Sequence, residues 1–234
     1  KLNFEHLDID WNQIDRIYIL ACGTSYYAAM IGKYWLEKRA KIQVVVEIAS
    51  EFRYREPLFS EHDLFIFISQ SGETVDTLGA LKYVKEKQAK TLCIINAAES
   101  EIAHLSDYVM AIHAGTEIGV ASTKAFTCQL MVLALLTLEI GYSRSYLSLA
   151  ELEKSLFNLH EVSGKVSEIL SLDGRIKKLS ESLQTAPYFF YLGRGDMYPL
   201  ALEGALKMKE LAYIPSEGLP AGELKHGPIA LIDN

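Results

Sequence analysis

The sequence predicts an α/β protein, a doubly wound parallel sheet of five strands followed by an incomplete second unit of the same kind. Three observations carry that expectation. Short runs of β-branched and aromatic residues alternate with stretches of helical period. The strand runs are apolar almost throughout, as in strands covered on both faces. A strand–turn–helix segment also recurs 172 residues later, with Gly23 falling on Gly195, Tyr26 on Tyr198, Ala29 on Ala201 and Gly32 on Gly204.

The elements follow in order. RIYILA at 16–21 reads as the first strand, with a helix from about 24 to 39. The nearly all-Val/Ile run at 42–48 is the second strand, and DLFIFIS at 63–69 the third, backed by an amphipathic helix over 74–87. Strands four and five are expected at 91–95 and 108–112, followed by a long helix from about 122 to 142. From 147 to 184 the pattern is helical only, with Leu149, Leu152, Leu156 and Leu159 on one stripe. YFFYL at 188–192 is then a strand and 199–212 a helix, after which the sequence stops within a fold and reads as cut short. Residues 1–15 are an N-terminal segment, 16–145 a first domain, 146–187 a helical connection and 188–234 a partial second domain.

Composition excludes several classes. Of 234 residues 50% are hydrophobic and 23% charged, which is globular rather than disordered or fibrous. The net charge of −7, with no basic cluster, argues against a nucleic-acid surface. Three scattered cysteines, Cys22, Cys93 and Cys128, form no CxxC pair, the usage of a reduced, cytoplasmic protein. Six histidines lack metal-ligand spacing, so no metal or other cofactor is expected. The greasiest stretch, 128–140, carries Gln129, Thr137 and Glu139 and falls short of the ~20 residues of a membrane span, so it reads as a buried core helix. The first five residues lack the pattern of a signal peptide.

Two loops follow strands directly: Cys22-Gly23-Thr24-Ser25 and Ser69-Gln70-Ser71-Gly72-Glu73-Thr74. Each sets hydroxyls and glycine at the carboxyl end of a strand and the start of a helix, where free N–H groups and the helix dipole favour an anion. In a sheet of flavodoxin-like order the first and third strands flank the point where the winding reverses and ligands bind. Read alone, each loop is an ordinary helix N-cap; together at that point they favour a phosphate held by neutral donors. Neither is a Walker loop, and Gly193-Arg194-Gly195 lacks the third glycine of a dinucleotide fingerprint.

A third constellation lies near the end. Glu203, Lys207 and Glu210 share a helical face, and His226 sits on a turn bracketed by Gly222, Gly227 and Pro228. Such a stripe is usually a solvated ion-pair face and such a histidine usually just exposed. Beside a phosphate site they are the minimum equipment for proton transfer on a sugar phosphate.

The two loops, together with AGTEIGVASTKAF at 114–126, VEIASEFRY at 46–54 and GELKHGP at 222–228, resemble the sugar isomerase (SIS) part of the glutamine–fructose-6-phosphate aminotransferases, over nearly the whole chain. The resemblance implies tandem SIS domains in a homodimer, acting on fructose 6-phosphate to give glucosamine 6-phosphate for amino-sugar synthesis. By motif, Ser25, Ser69, Gln70, Ser71 and Thr74 would hold the phosphate, and Thr24, Val120 and Ser122 would lie by the sugar. Glu210 would move the proton between C1 and C2, Lys207 would assist near the sugar oxygens, and His226 of a neighbouring subunit would help open the ring. The family's glutaminase half and its C-terminal tail, whose lysine forms a Schiff base, are outside this sequence, so the fragment is expected to be inactive by itself. The loop at 96–107 lacks the family's glycine and Arg-Glu pair, and Pro215 stands where a histidine is common. Two other readings remain open: another SIS phosphosugar isomerase or deglycase, and a non-catalytic sugar-phosphate sensor.

Overall fold

The structure, a computed structural model, describes residues 7–232. The first unit comprises β1 (Arg16–Ala21), α1 (Gly23–Trp35, continued by a wider turn at Leu36–Ala40), β2 (Gln43–Ile48), α2 (Ala49–Phe52) and β3 (Asp63–Ser69). It goes on through α3 (Val75–Glu86), β4 (Lys90–Ile95), α4 (Glu101–Leu105), β5 (Tyr108–Ala111) and α5 (Lys124–Ser143). The five strands are all parallel, in the order β2-β1-β3-β4-β5.

Period-2 alternation divides the strand side chains between two cores. On one face Ile17, Ile19, Leu64, Ile66, Leu92 and Ile94 pack with Ala28 and Ala29 of α1 and Leu133, Leu136 and Ile140 of α5. On the other Tyr18, Leu20, Phe65, Phe67, Cys93 and Ile95 pack with Ala80, Leu81 and Val84 of α3. Every residue of β3 is buried. At roughly 1.5–3 kcal/mol for each large apolar side chain, this central strand anchors the fold. α5 is long and apolar enough to cross a membrane by length and composition, and ten of its residues are buried within the molecule.

The chain runs from β1 through α1 to the edge strand β2, then returns to β3 on the other side of β1. The winding therefore reverses between the carboxyl ends of β1 and β3. Both catalogued loops leave from those two ends.

Three helices follow, α6 (Leu149–His160), α7 (Val162–Leu170) and α8 (Asp173–Leu183), where the sequence pattern predicts one undivided helical stretch. Of the expected leucine stripe only Leu152 is buried; Leu149 is exposed. Then come β6 (Phe189–Gly193), α9 (Met197–Ala212), β7 (Ser216–Pro220) and two short 3-10 turns, Glu223–His226 and Pro228–Leu231. β6 and β7 pair in parallel, and α9 packs both on them and on α1. The 172-residue repeat holds to the level of strand register: it carries the Ile17–Val44 pair onto Phe189–Ser216.

Candidate functional site

The two glycine–hydroxyl loops meet in a cleft of about 210 Å³. At the end of β1, Cys22 is extended and Gly23 turns left-handed at φ +54, so that Thr24 and Ser25 fall in the first turn of α1. At the end of β3 the Ser69 hydroxyl accepts from the Gly72 N–H at 3.0 Å and lies 3.1 Å from Thr74 Oγ1, which closes the loop on itself. Ser71 Oγ accepts from the Glu73 N–H at 3.2 Å. Gly72 (φ +71) is wedged so closely that a Cβ there would sit 2.0 Å from Ser100 Oγ.

This geometry decides against the plain N-cap reading. No side chain caps α1 or α3, although Thr74 occupies the capping position of α3; its hydroxyl is engaged with Ser69 instead. The first N–H groups of two helices thus face the cleft without side-chain caps, flanked by the hydroxyls of Ser25, Ser69, Ser71 and Thr74 and by Gln70.

A second wall comes from the segment between β5 and α5. Asn96, after β4, grips its start: Nδ2 donates to Gly115 O at 2.8 Å and Oδ1 accepts from the Ala114 N–H at 2.9 Å. The Glu117 carboxylate accepts from the Thr123 N–H at 2.9 Å. So held, the segment brings Val120 and Ser122 to the rim of the cleft.

The third wall is α9. Lys207 Nζ donates to Thr24 Oγ1 at 3.0 Å, pairs with Glu210 Oε2 at 2.5 Å and lies 3.5 Å from Glu203 Oε1. Thr24 in turn donates to Glu203 Oε1 at 3.2 Å. The stripe Glu203–Lys207–Glu210 is therefore not a solvated face: Glu203 is buried, with Oε2 unpartnered, while Lys207 and Glu210 line the cleft. Burial holds the Glu203 carboxyl above its ordinary value, against the opposing pull of the Lys207 charge and the Thr24 hydrogen bond. Beside Lys207 the cleft adjoins a larger, mostly apolar hollow of about 640 Å³, with Phe126, Leu192 and Leu200 on its walls.

Thr24, Ser25, Ser69, Gln70, Ser71, Thr74, Val120, Ser122, Lys207 and Glu210 thus share one cleft. His226 does not join them; it is exposed on its 3-10 turn and makes no hydrogen bond or ion pair among the described residues. Sequence reasoning did not assign Asn96, Gln129 (Nε2 donating to Ser25 Oγ at 2.9 Å) or Thr77 to the site. Thr77 was within reach as the next-turn neighbour of Thr74. Gln129 reads in the sequence only as a polar break in a greasy helix. Among the described residues no group of three or more His, Cys, Asp or Glu is placed to hold a metal ion.

Chemically, the cleft offers neutral donors for an anion at one end and a carboxylate–ammonium pair for proton transfer at the other.

The chain is similar to known proteins over nearly its whole length. The SIS domain family matches residues 12–139 and 182–234. A glutamine–fructose-6-phosphate aminotransferase (isomerizing) of Bradyrhizobium diazoefficiens is 52% identical over 227 residues, 97% of this chain and 37% of that protein. The one from Bartonella henselae is 49% identical over 225 residues, covering 96% and 37%. The chain therefore spans little more than a third of these relatives. Among solved structures, the C-terminal domain of glucosamine-fructose-6-phosphate aminotransferase from Francisella tularensis superimposes with a TM-score of 0.92 at 46% identity, over 95% of this chain and 63% of that one.

Proposed function

The chain belongs to the SIS domain family, and on that premise we propose that it is the isomerase part of a glutamine–fructose-6-phosphate aminotransferase. In this reading it binds fructose 6-phosphate and turns the ketose skeleton into the aldose skeleton of glucosamine 6-phosphate. The observation that carries it is the convergence, on one cleft, of two helix N-termini without side-chain caps and the Lys207–Glu210 pair of α9.

Ser25, Ser69, Gln70, Ser71, Thr74 and the adjacent backbone N–H groups hold the phosphate. Each charge-assisted bond contributes about 1.5–3 kcal/mol, so a chain of net charge −7 needs no basic patch. Thr24, Val120 and Ser122 bound the sugar. Glu210 takes a proton from C1 of the C2 imine and returns one to C2. Over the whole step O1 loses a proton and the nitrogen gains one, leaving an aldehyde at C1 and an amine at C2 without any net redox change. Lys207, paired with Glu210, steadies the sugar oxygens. His226, which does not line its own cleft, serves that of a second subunit in a homodimer. The glutaminase partner domain and the full aminotransferase reaction belong to the longer protein, and its place is the cytoplasm.

Calorimetric titration with fructose 6-phosphate and inorganic phosphate tests the binding step. Saturable binding by the wild-type chain, abolished in Ser69→Ala/Ser71→Ala, supports it; no binding, or binding unchanged in that variant, sinks it. Solvent-deuterium exchange at C1 of fructose 6-phosphate, or incorporation at C2 of the aldose product, followed in the full-length enzyme, separates an isomerase from a sugar-phosphate sensor, since only the former exchanges.

A further inference from the structure

Helix α5 is apolar along most of its middle, yet it sets Gln129, fully buried, against the first turn of α1. Gln129 Nε2 donates to Ser25 Oγ at 2.9 Å, while Oε1 has no partner. A leucine or methionine would fill this position without burying an unmatched acceptor, so packing does not account for the amide. Turning the amide over would leave both N–H donors of Nε2 unmatched, whereas the present orientation leaves one N–H and one carbonyl acceptor, and an under-satisfied carbonyl is the better tolerated of the two. An N–H aimed at Ser25 occupies a lone pair of that hydroxyl and leaves its proton free. Ser25 makes no other side-chain hydrogen bond among the described residues, and it lines the cleft beside Ser69 and Ser71.

We infer that Gln129 is a positioning residue that fixes the polarity of the Ser25 hydroxyl, so that Ser25 meets a bound phosphate as a hydrogen-bond donor. The inference rests on the phosphate-binding reading above and deepens it. Gln129 itself touches no ligand. It makes the hydroxyl a one-way donor before the anion arrives, so no rotor has to be ordered on binding.

The test uses inorganic sulfate, which keeps its charge across the range, with inorganic phosphate alongside, titrated calorimetrically from about pH 5 to about pH 8. In Gln129→Glu a protonated carboxyl can still donate to Ser25, whereas an ionised one accepts the Ser25 proton for itself. Sulfate affinity is expected to match wild type at the acid end and to fall about tenfold or more as the carboxyl ionises. Gln129→Met, which removes the donor at similar length, should weaken sulfate binding in the wild-type background and have no further effect in Ser25→Ala. If Gln129→Glu does not fold, this second comparison decides alone. Equal losses from Gln129→Met with and without Ser25, or a Gln129→Glu profile that parallels wild type, overturn the inference while leaving the phosphate site intact. A wild-type chain that binds neither anion overturns both.

Discussion

The β1–α1–β2 and β6–α9–β7 units share one backbone plan and diverge in what their turns carry. Their strand pairs have the same register at a spacing of 172 residues. Gly23 and Gly195 adopt the same left-handed turn, at φ +54 and +59, with nothing within 4 Å of a would-be Cβ. Ala29 and Ala201 occupy the same buried place on the following helix. But Thr24 and Ser25 of the first turn become Asp196 and Met197 in the second. A carboxylate at the helix N-terminus repels the very anion that a hydroxyl invites. The first unit is thus equipped to bind, and the second lends Lys207 and Glu210 from the body of its helix. The turn geometry is scaffold, and two side chains decide what it holds.

The largest expected effect concerns the glycines where backbone and neighbours touch. Gly72→Ala must resolve both a left-handed φ and a Cβ 2.0 Å from Ser100 Oγ; urea denaturation should show a loss of about 2–5 kcal/mol together with loss of phosphate binding. Gly193→Ala in the second unit drives a Cβ to 2.1 Å from Met197 O and should destabilise comparably, while the chain that remains folded keeps its sulfate affinity. If both variants lose binding equally, the division of labour between the units fails.

Next comes the loop after β3. Ser69→Ala or Ser71→Ala should each cost about 1.5–3 kcal/mol of phosphate affinity by calorimetry, whereas Ser216→Ala in β7 should leave affinity untouched. Smaller still is the paired test of the repeated turn. Gly23→Ala and Gly195→Ala should each lose about 1–2 kcal/mol of stability, and only the former should weaken anion binding.

The smallest effect is a pH dependence at the junction of the two units. Because burial raises the Glu203 carboxyl in the folded state, the group favours the fold most below its unfolded value, and that contribution disappears as pH rises through the folded value. Glu203→Gln keeps an acceptor for Thr24 without the buried charge. Its melting temperature relative to wild type should therefore increase from acid to neutral pH; a difference that is flat with pH removes Glu203 as a titrating element.

The sheet was legible because strands buried on both faces have nothing polar to interrupt them, as β3 illustrates. α2 and α4, of four and five residues, were too short to show a helical period. β7 was hidden by Gly218 and Pro220, poor strand formers tolerated here because α9 lies so close that a Cβ on Gly218 would approach Leu202 Cα to 2.7 Å. The repeat itself pointed to it, since β2 shifted by 172 residues lands on 215–220. Cleft residues at strand ends were readable from loop chemistry, and the Lys207–Glu210 pair from its spacing on one helical face. The Asn96 clamp was not, because its partners lie 18 and 19 residues away and no local pattern marks them. The burial of Glu203 was equally hidden: it depends on α1 and α9 meeting, a contact between residues 179 apart.

The segment between β5 and α5 has one more consequence. Asn96 secures it at Ala114 and Gly115, and Glu117 ties to Thr123, yet between these anchors Ile118 and Val120 stand in water. An apolar side chain on an open strand of backbone is what an elastase-type protease recognises, and a cut after Val120 would part the first five strands from the helix that covers them. Since Val120 borders the cleft, a seated sugar phosphate would shield that bond. The rate of nicking then becomes a clock for occupancy, readable on a gel without any assay of turnover.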